Sequence, residues 1–241
     1  MQQQKTHKEN KQPRISARHL ADYMAATETK RRAIVRDCKY HRIARVIQHD
    51  EAKLSISKFL RSDNSDISPL LASASSLRNR ICDGDFERDL CDHNADYIER
   101  FAKIAATVEL PAAQILVPGA SPALLVRGVR VTIELACRLQ RVTRTNKVRT
   151  GAIMLRYAKG EILDVAVAEW QSAFLFGYLT HDSPQIEADP EQKLCLTLDA
   201  YSGVCHPAPG NSVQRFNNME AACESISERW PNISPPPNAI L

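Results

Sequence analysis

Residues 129–157 leave this chain few folds to choose from. From Val129 to Gln140, Val129, Val131, Ile133, Leu135, Cys137 and Leu139 fall on one face, and Arg130, Thr132, Glu134, Ala136, Arg138 and Gln140 on the other. That period of two suits one long half-buried strand. The polar stretch Thr143–Lys147 predicts a turn, and VRTGAIMLRYAKG predicts a second strand, with Ile153, Leu155 and Tyr157 on one side and Ala152, Met154 and Arg156 on the other. Two antiparallel strands joined locally need no crossover. A lone hairpin is marginal in water, so helices elsewhere must cover its apolar face.

The chain has 241 residues, 44% of them hydrophobic and 25% charged, and is long enough to bury a substantial core. It contains no apolar run of the roughly 18 to 20 residues that span a bilayer, and no hydrophobic segment of signal-peptide type at its start. The expectation is a cytoplasmic protein with no membrane partner. The seven cysteines include no CxxC pair, so reduced, structural thiols are expected. Cys82, Cys91 and His93 come nearest to a metal cluster, but their spacing matches no standard zinc knuckle.

The formal net charge of +4 conceals an asymmetry. Residues 1–60 carry 14 Lys or Arg against 6 Asp or Glu, and the remainder 18 against 22. A basic N-terminal part on a mildly acidic body points to phosphate or another acidic surface as partner.

Five stretches follow from pattern and composition. Residues 1–14 read as a disordered basic tail. Residues 15–60 read as a basic helical region opening with Ser16 as helix cap, where Ile15 and Leu20 are placed to form a staple. Residues 61–93 read as a polar linker with a short helix from Ser68 or Pro69 to Leu77. Residues 94–231 read as an α/β core, and 232–241 as a Pro-rich tail. Within the core, Tyr97, Phe101 and Ile104 repeat at helical spacing; Leu124–Val126 suits a short edge strand. Asp164 is placed to cap a helix carrying Val167, Trp170, Phe174 and Tyr178 on one stripe. LCLTLD (194–199) is strongly β-like, and Asn217 with Glu220 suggests a capping box for a last helix through Trp230.

In the basic region Lys30, Arg31, Arg32, Arg36, Arg42 and Arg45 are candidates for nucleic-acid contact, because Lys and Arg neutralise phosphates without base-specific geometry. A solvated helical face is the bland alternative. No glycine pattern marks a helix-turn-helix turn, and P-loop, Rossmann, calcium-loop and nucleophile-elbow spacings are absent.

The order from Asn94 onward, helix, short strand, long strand, strand, helix, strand, short strand, helix, resembles the α-β-β-β-α-β core of the PD-(D/E)XK nuclease superfamily. The segments Gly151–Leu155, Trp170–Leu179, Leu196–Gly203 and Ala221–Pro231 also resemble a family of uncharacterised bacterial proteins. The nuclease resemblance implies divalent metal held by strand carboxylates, with a lysine near the scissile phosphate. Glu134 and Asp199 are the candidate metal ligands, and with Lys159 and Arg156 the candidate catalytic set; Glu99 or Glu109 is a further possible acid. The (D/E)-x-K position falls on Met154-Leu155-Arg156. Met154 offers no hard ligand and Arg156 accepts no proton, which argues against ordinary nuclease activity.

The sequence therefore predicts an α+β protein: N-terminal basic helices, then a small mixed sheet covered by helices, restriction-endonuclease-like in outline. The expected function is binding of DNA or RNA beside a degenerate, inactive nuclease-like domain, with no cofactor. The alternatives are a divergent nuclease using Mg or Mn, and an accessory subunit of a larger protein assembly.

Overall fold

The computed structural model describes residues 5–43, 49–62, 65–158, 160–182 and 188–241. The chain opens with β1 (His7–Glu9), β2 (Arg14–Ser16), α1 (Ala17–Ala25), α2 (Glu28–Lys39) and β3 (Tyr40–Arg42). Three helices follow, α3 (Asp50–Arg61), α4 (Ser68–Arg78) and α5 (Asp85–Ile104). Then come β4 (Gln114–Leu116), β5 (Leu124–Val126), β6 (Val129–Thr132), β7 (Cys137–Val142), β8 (Val148–Arg156), α6 (Val165–Asp182), β9 (Asp189–Asp199), β10 (Cys205–Pro207) and α7 (Ser212–Arg229). This is an α+β fold, with helices followed by mixed sheets packed against helices. Among the described residues no helix is long and apolar enough to cross a membrane.

The central sheet has the order β10-β9-β8-β7-β4. The β7–β8 hairpin forms as the alternation predicts, closing with Val142 opposite Val148. Asn146, at a left-handed φ of 55°, suits the turn between them. Strands β8 and β9 are parallel, so the chain must cross over between them, and α6 makes that crossing. A five-strand sheet buried on both faces needs apolar residues of both parities. Ala152, Met154 and Cys195 join one core with Phe174, Tyr178, Phe216 and Trp230, while Cys137, Leu139, Ile153, Leu196 and Leu198 join the other with Ile56, Tyr97, Ile98 and Phe101.

The predicted long strand is in fact two. Residues of β6 pair with β2 and β5 in a separate three-stranded sheet, and β7 pairs with β8 and β4 in the central one. Ile133–Ala136 bend between the sheets, although the alternation of side chains runs on unbroken through them. The β5–β6 connection is the tight turn Arg127-Gly128, where both residues have positive φ, 45° and 82°. Such a turn matches the twist of a two-residue hairpin.

Several stretches expected to be loose are ordered. Between residues 79 and 93 only the first few are irregular, because α5 begins at Asp85. Its acids answer basic residues from outside the helix and within it: Arg78 binds Asp92 (3.1 Å), Asp96 (2.5 Å) and Glu99 (3.1 Å), and Arg88 binds Asp92 (3.0 Å). The buried Asn94 of α5 accepts the Ala52 N–H at the start of α3 (3.0 Å). The last helix starts at Ser212, five residues before the predicted Asn217 cap.

The expected tails are tied down as well. β1 pairs antiparallel with β3. Thr6 and His7 N–H groups donate to the Ile240 carbonyl (2.9 and 3.1 Å), and Ile240 N–H donates to Thr6 Oγ1 (2.9 Å). Lys39 is buried; its Nζ donates to the carbonyls of Trp230 (2.8 Å), Pro231 (3.3 Å) and Ile233 (3.1 Å). Carbonyl ligation of this kind is what lets an ammonium sit inside. Nor are the basic helices an appendage: Ile15, Ala17, Leu20, Tyr23 and Val35 share one core with Phe174 and Trp230. Ser16 caps α1 by accepting the His19 N–H (3.1 Å), as predicted.

Candidate functional site

The bend between β6 and β7 opens a cavity of about 610 Å³. Its walls come from the start of α1, from α3, from the bend itself, from the end of β8, and from Tyr97 of α5 and Gln171 of α6. Glu134 lies in the bend, and both its carboxylate oxygens accept from Lys53 Nζ (3.0 and 2.8 Å). Lys53 also lies 3.9 Å from Asp50, a second acid of the cavity. Met154 and Leu155 line the wall where the nuclease resemblance would require a carboxylate.

The predicted catalytic residues Arg156 and Asp199 do not join Glu134 in an open cluster. Arg156 is buried behind the wall; its Nη2 donates to Asp22 (2.6 Å) and its Nη1 to Gln171 Oε1 (3.3 Å) and the Arg18 carbonyl (3.4 Å). Asp199 is 1% exposed and ends β9 facing its own turn. It accepts from Leu163 N–H (3.0 Å), Tyr201 N–H (3.0 Å) and Ser202 Oγ (2.6 Å). Glu99 is taken by Arg78, and Glu109 follows the 3-10 turn that ends α5. Lys159 lies outside the described residues. Among the described residues no group of three His, Cys, Asp or Glu side chains is placed to hold a metal ion.

What remains in the cavity is positive charge. Arg18 and Arg61 both line it, and neither side chain has a hydrogen bond or ion pair among the described residues. Partial burial, and then the neighbouring Arg156, lower the pKa of Arg18, yet an arginine keeps its charge through any such shift. Burial, followed by the nearby Lys53, lowers the pKa of His49 and favours the neutral ring. Tyr97 is held up mainly by burial, and so stays a phenol. In the same walls two buried polar atoms, His49 Nδ1 and Gln171 Nε2, have no partner among the described residues. Tyr97 stacks on Tyr157 with ring centroids 3.8 Å apart, and the His49 ring stands edge-on to both.

A second basic concavity, of about 550 Å³, lies between α2 and the end of α7. Arg31, Arg32 and Arg36 line it from α2, and Arg229 from α7. Arg31 is partly structural: its Nε and Nη2 donate to the carbonyls of Tyr23 (2.9 Å) and Met24 (3.0 Å), and it lies over the Tyr23 ring. Glu28 receives Arg32 (3.2 Å) and Arg229 (3.4 Å), and the hydrogen bond from Arg32 lowers its pKa. Arg36 Nε is buried without a partner among the described residues. Lys30 is exposed on α2 and Arg42 on β3, while Arg45 lies outside the described residues.

Sequence reasoning thus assembled half of this groove and one acid of the cavity. It missed Arg229, which joins the groove from the far end of the chain, Arg18 and Lys53, whose only signal was the excess of basic residues in positions 1–60, and Arg61, the first residue of the stretch read as a polar linker. The thiols conform to the structural expectation: burial pushes Cys38 and Cys223 up to about 12 and Cys137 and Cys205 up to about 11. No protein-family model matches this chain, and no curated protein matches it either.

Proposed function

We propose that this protein binds nucleic acid through phosphate contacts in the groove between α2 and α7, on a nuclease-like core that does not itself cleave. The observation that carries the reading is the convergence of Arg31, Arg32, Arg36 and Arg229 on one groove, with Arg36 Nε buried and without a partner among the described residues. A buried guanidinium N–H left without an acceptor is costly, and a phosphate oxygen supplies that acceptor together with the opposite charge. Lys30, exposed beside them, extends the basic strip along α2.

The central sheet supports the nuclease-like reading, since three mutually antiparallel strands, β4, β7 and β8, with β5 and β6 inserted between the first two, are followed by a crossover helix and a parallel fourth strand. The inactive reading is supported by Met154 at the expected acid position, by Arg156 tied to Asp22, and by Asp199 occupied with its turn.

The test is fluorescence anisotropy of the full chain with labelled double-stranded DNA, single-stranded DNA and RNA across a salt series. Affinity should fall steeply with salt, and Arg36→Ala should weaken binding and reduce the logarithmic salt slope by about 1. Absence of binding to all three at low salt would sink the reading. Cleavage of any of them in Mg or Mn would replace the inactive core by a divergent nuclease.

A further inference from the structure

We infer that the cavity at the β6–β7 bend is a binding site for a nucleoside monophosphate, a planar ring carrying a phosphate dianion. The site is distinct from the α2 groove and does not depend on that groove binding nucleic acid.

Charge comes first. Lys53 holds Glu134 and stands 3.9 Å from Asp50, and Arg156 holds Asp22, so that Arg18, Arg61 and Lys53 stand against Asp50 and Glu134 and leave the lining net positive. His49 is held toward its neutral form. Arg18 and Arg61 are two permanent positive charges in one concavity whose guanidinium groups make no hydrogen bond or ion pair among the described residues, with Asp22 and Glu134 acting on Arg18 only at longer range. A bound phosphate supplies the acceptor oxygens that these two groups lack. Guanidinium groups suit phosphate because their planar forks donate paired hydrogen bonds to its oxygens.

The second observation is polar and independent of charge. Gln171 is fully buried and its Oε1 accepts from Arg156, while its Nε2 donor and His49 Nδ1, both in residues of the cavity wall, have no partner among the described residues. These supply a donor and a neutral acceptor, the complement that a sugar hydroxyl or a base edge can satisfy.

The third is apolar. The stacked Tyr97 and Tyr157, with His49 against their edges, form an aromatic wall. Leu54 and Val117 line the cavity yet are 53% and 69% exposed. A planar ring covers such side chains and removes them from water. The volume, about 610 Å³, falls within the roughly 300–1,000 Å³ of small-ligand pockets.

The experiment is isothermal titration calorimetry of the full chain with AMP, GMP, CMP and UMP, with the four parent nucleosides, and with inorganic phosphate. At least one nucleotide should bind, its nucleoside and free phosphate each at least about tenfold more weakly, because hydrogen bonds to charged groups each contribute that much or more. Arg18→Gln and Arg61→Gln should each weaken the nucleotide by about tenfold or more. Leu54→Trp, a change at an exposed position that leaves the core alone, should do the same by filling the mouth. Arg36→Ala should leave nucleotide affinity unchanged. The inference is overturned if no nucleotide binds at millimolar concentration, if a nucleoside binds as well as its nucleotide, or if binding survives all three cavity variants. Loss in Arg36→Ala with retention in Arg18→Gln would place the bound nucleotide in the α2 groove and overturn it equally.

Discussion

Asp199 shows how little a residue's chemical type says about its task. An acid at the end of an apolar strand suggests a metal ligand, but three short hydrogen bonds turn this one inward to organise the turn through Gly203, whose φ is 83°. Truncation would leave two backbone N–H groups and a hydroxyl without their acceptor. Each orphaned buried group costs about 1–3 kcal/mol. Asp199→Ala should therefore lower the free energy of unfolding by about 2–4 kcal/mol, read from urea denaturation, while the folded protein keeps its affinity for labelled nucleic acid. Arg156 makes the same point with opposite charge: as a candidate for phosphate it is already spent, holding Asp22 and Gln171 between α1 and α6.

Among the elements, β8 runs between β7 and β9 in the central sheet. Its register with β9 slips between Thr150 and Ala152, and at that slip a Cβ on Gly151 would overlap the backbone of Leu194. Backbone cannot rotate aside as a side chain can, so Gly151→Ala should destabilise by about 1–3 kcal/mol, seen as a lower thermal midpoint with unchanged far-ultraviolet dichroism. The hairpin, α6 and the α7 stripe of Met219, Ile226 and Trp230 were legible in the sequence because periodicity reports directly which face is buried. The break at Ile133–Ala136 was not, since the alternation continues while the backbone changes sheets. The start of α5 was hidden for a different reason. Asp92 looks like solvated linker until Arg78, from the neighbouring helix, is brought against it. Glu134 and the α2 arginines could be nominated from local pattern; Arg18, Arg61, Lys53 and Arg229 are assembled only by tertiary packing.

For the molecule as a whole, acid sensitivity has a definite window. Burial lowers the pKa of His19, His49 and His206 in the fold. Their imidazoles take up protons more readily when unfolded, so the stability they contribute is present above the unfolded value of about 6.5 and is lost as pH falls through it. The paired acids Glu51 and Asp92, whose pKa values are lowered, add their loss only below about pH 4.5. The urea midpoint should thus be lower at pH 5.5 than at pH 7.5, and His206→Gln should narrow the difference. A midpoint equal at both values would contradict this account.

The hydrogen bonds between Thr6 and Ile240 bring residues 234 positions apart in the sequence to the same corner. In connectivity terms the fold is close to a ring. A short peptide joining Ile240 to Thr6 would constrain the unfolded chain without bending the folded one, and new ends could then be cut at the exposed Arg144–Lys147 tip of the β7–β8 hairpin.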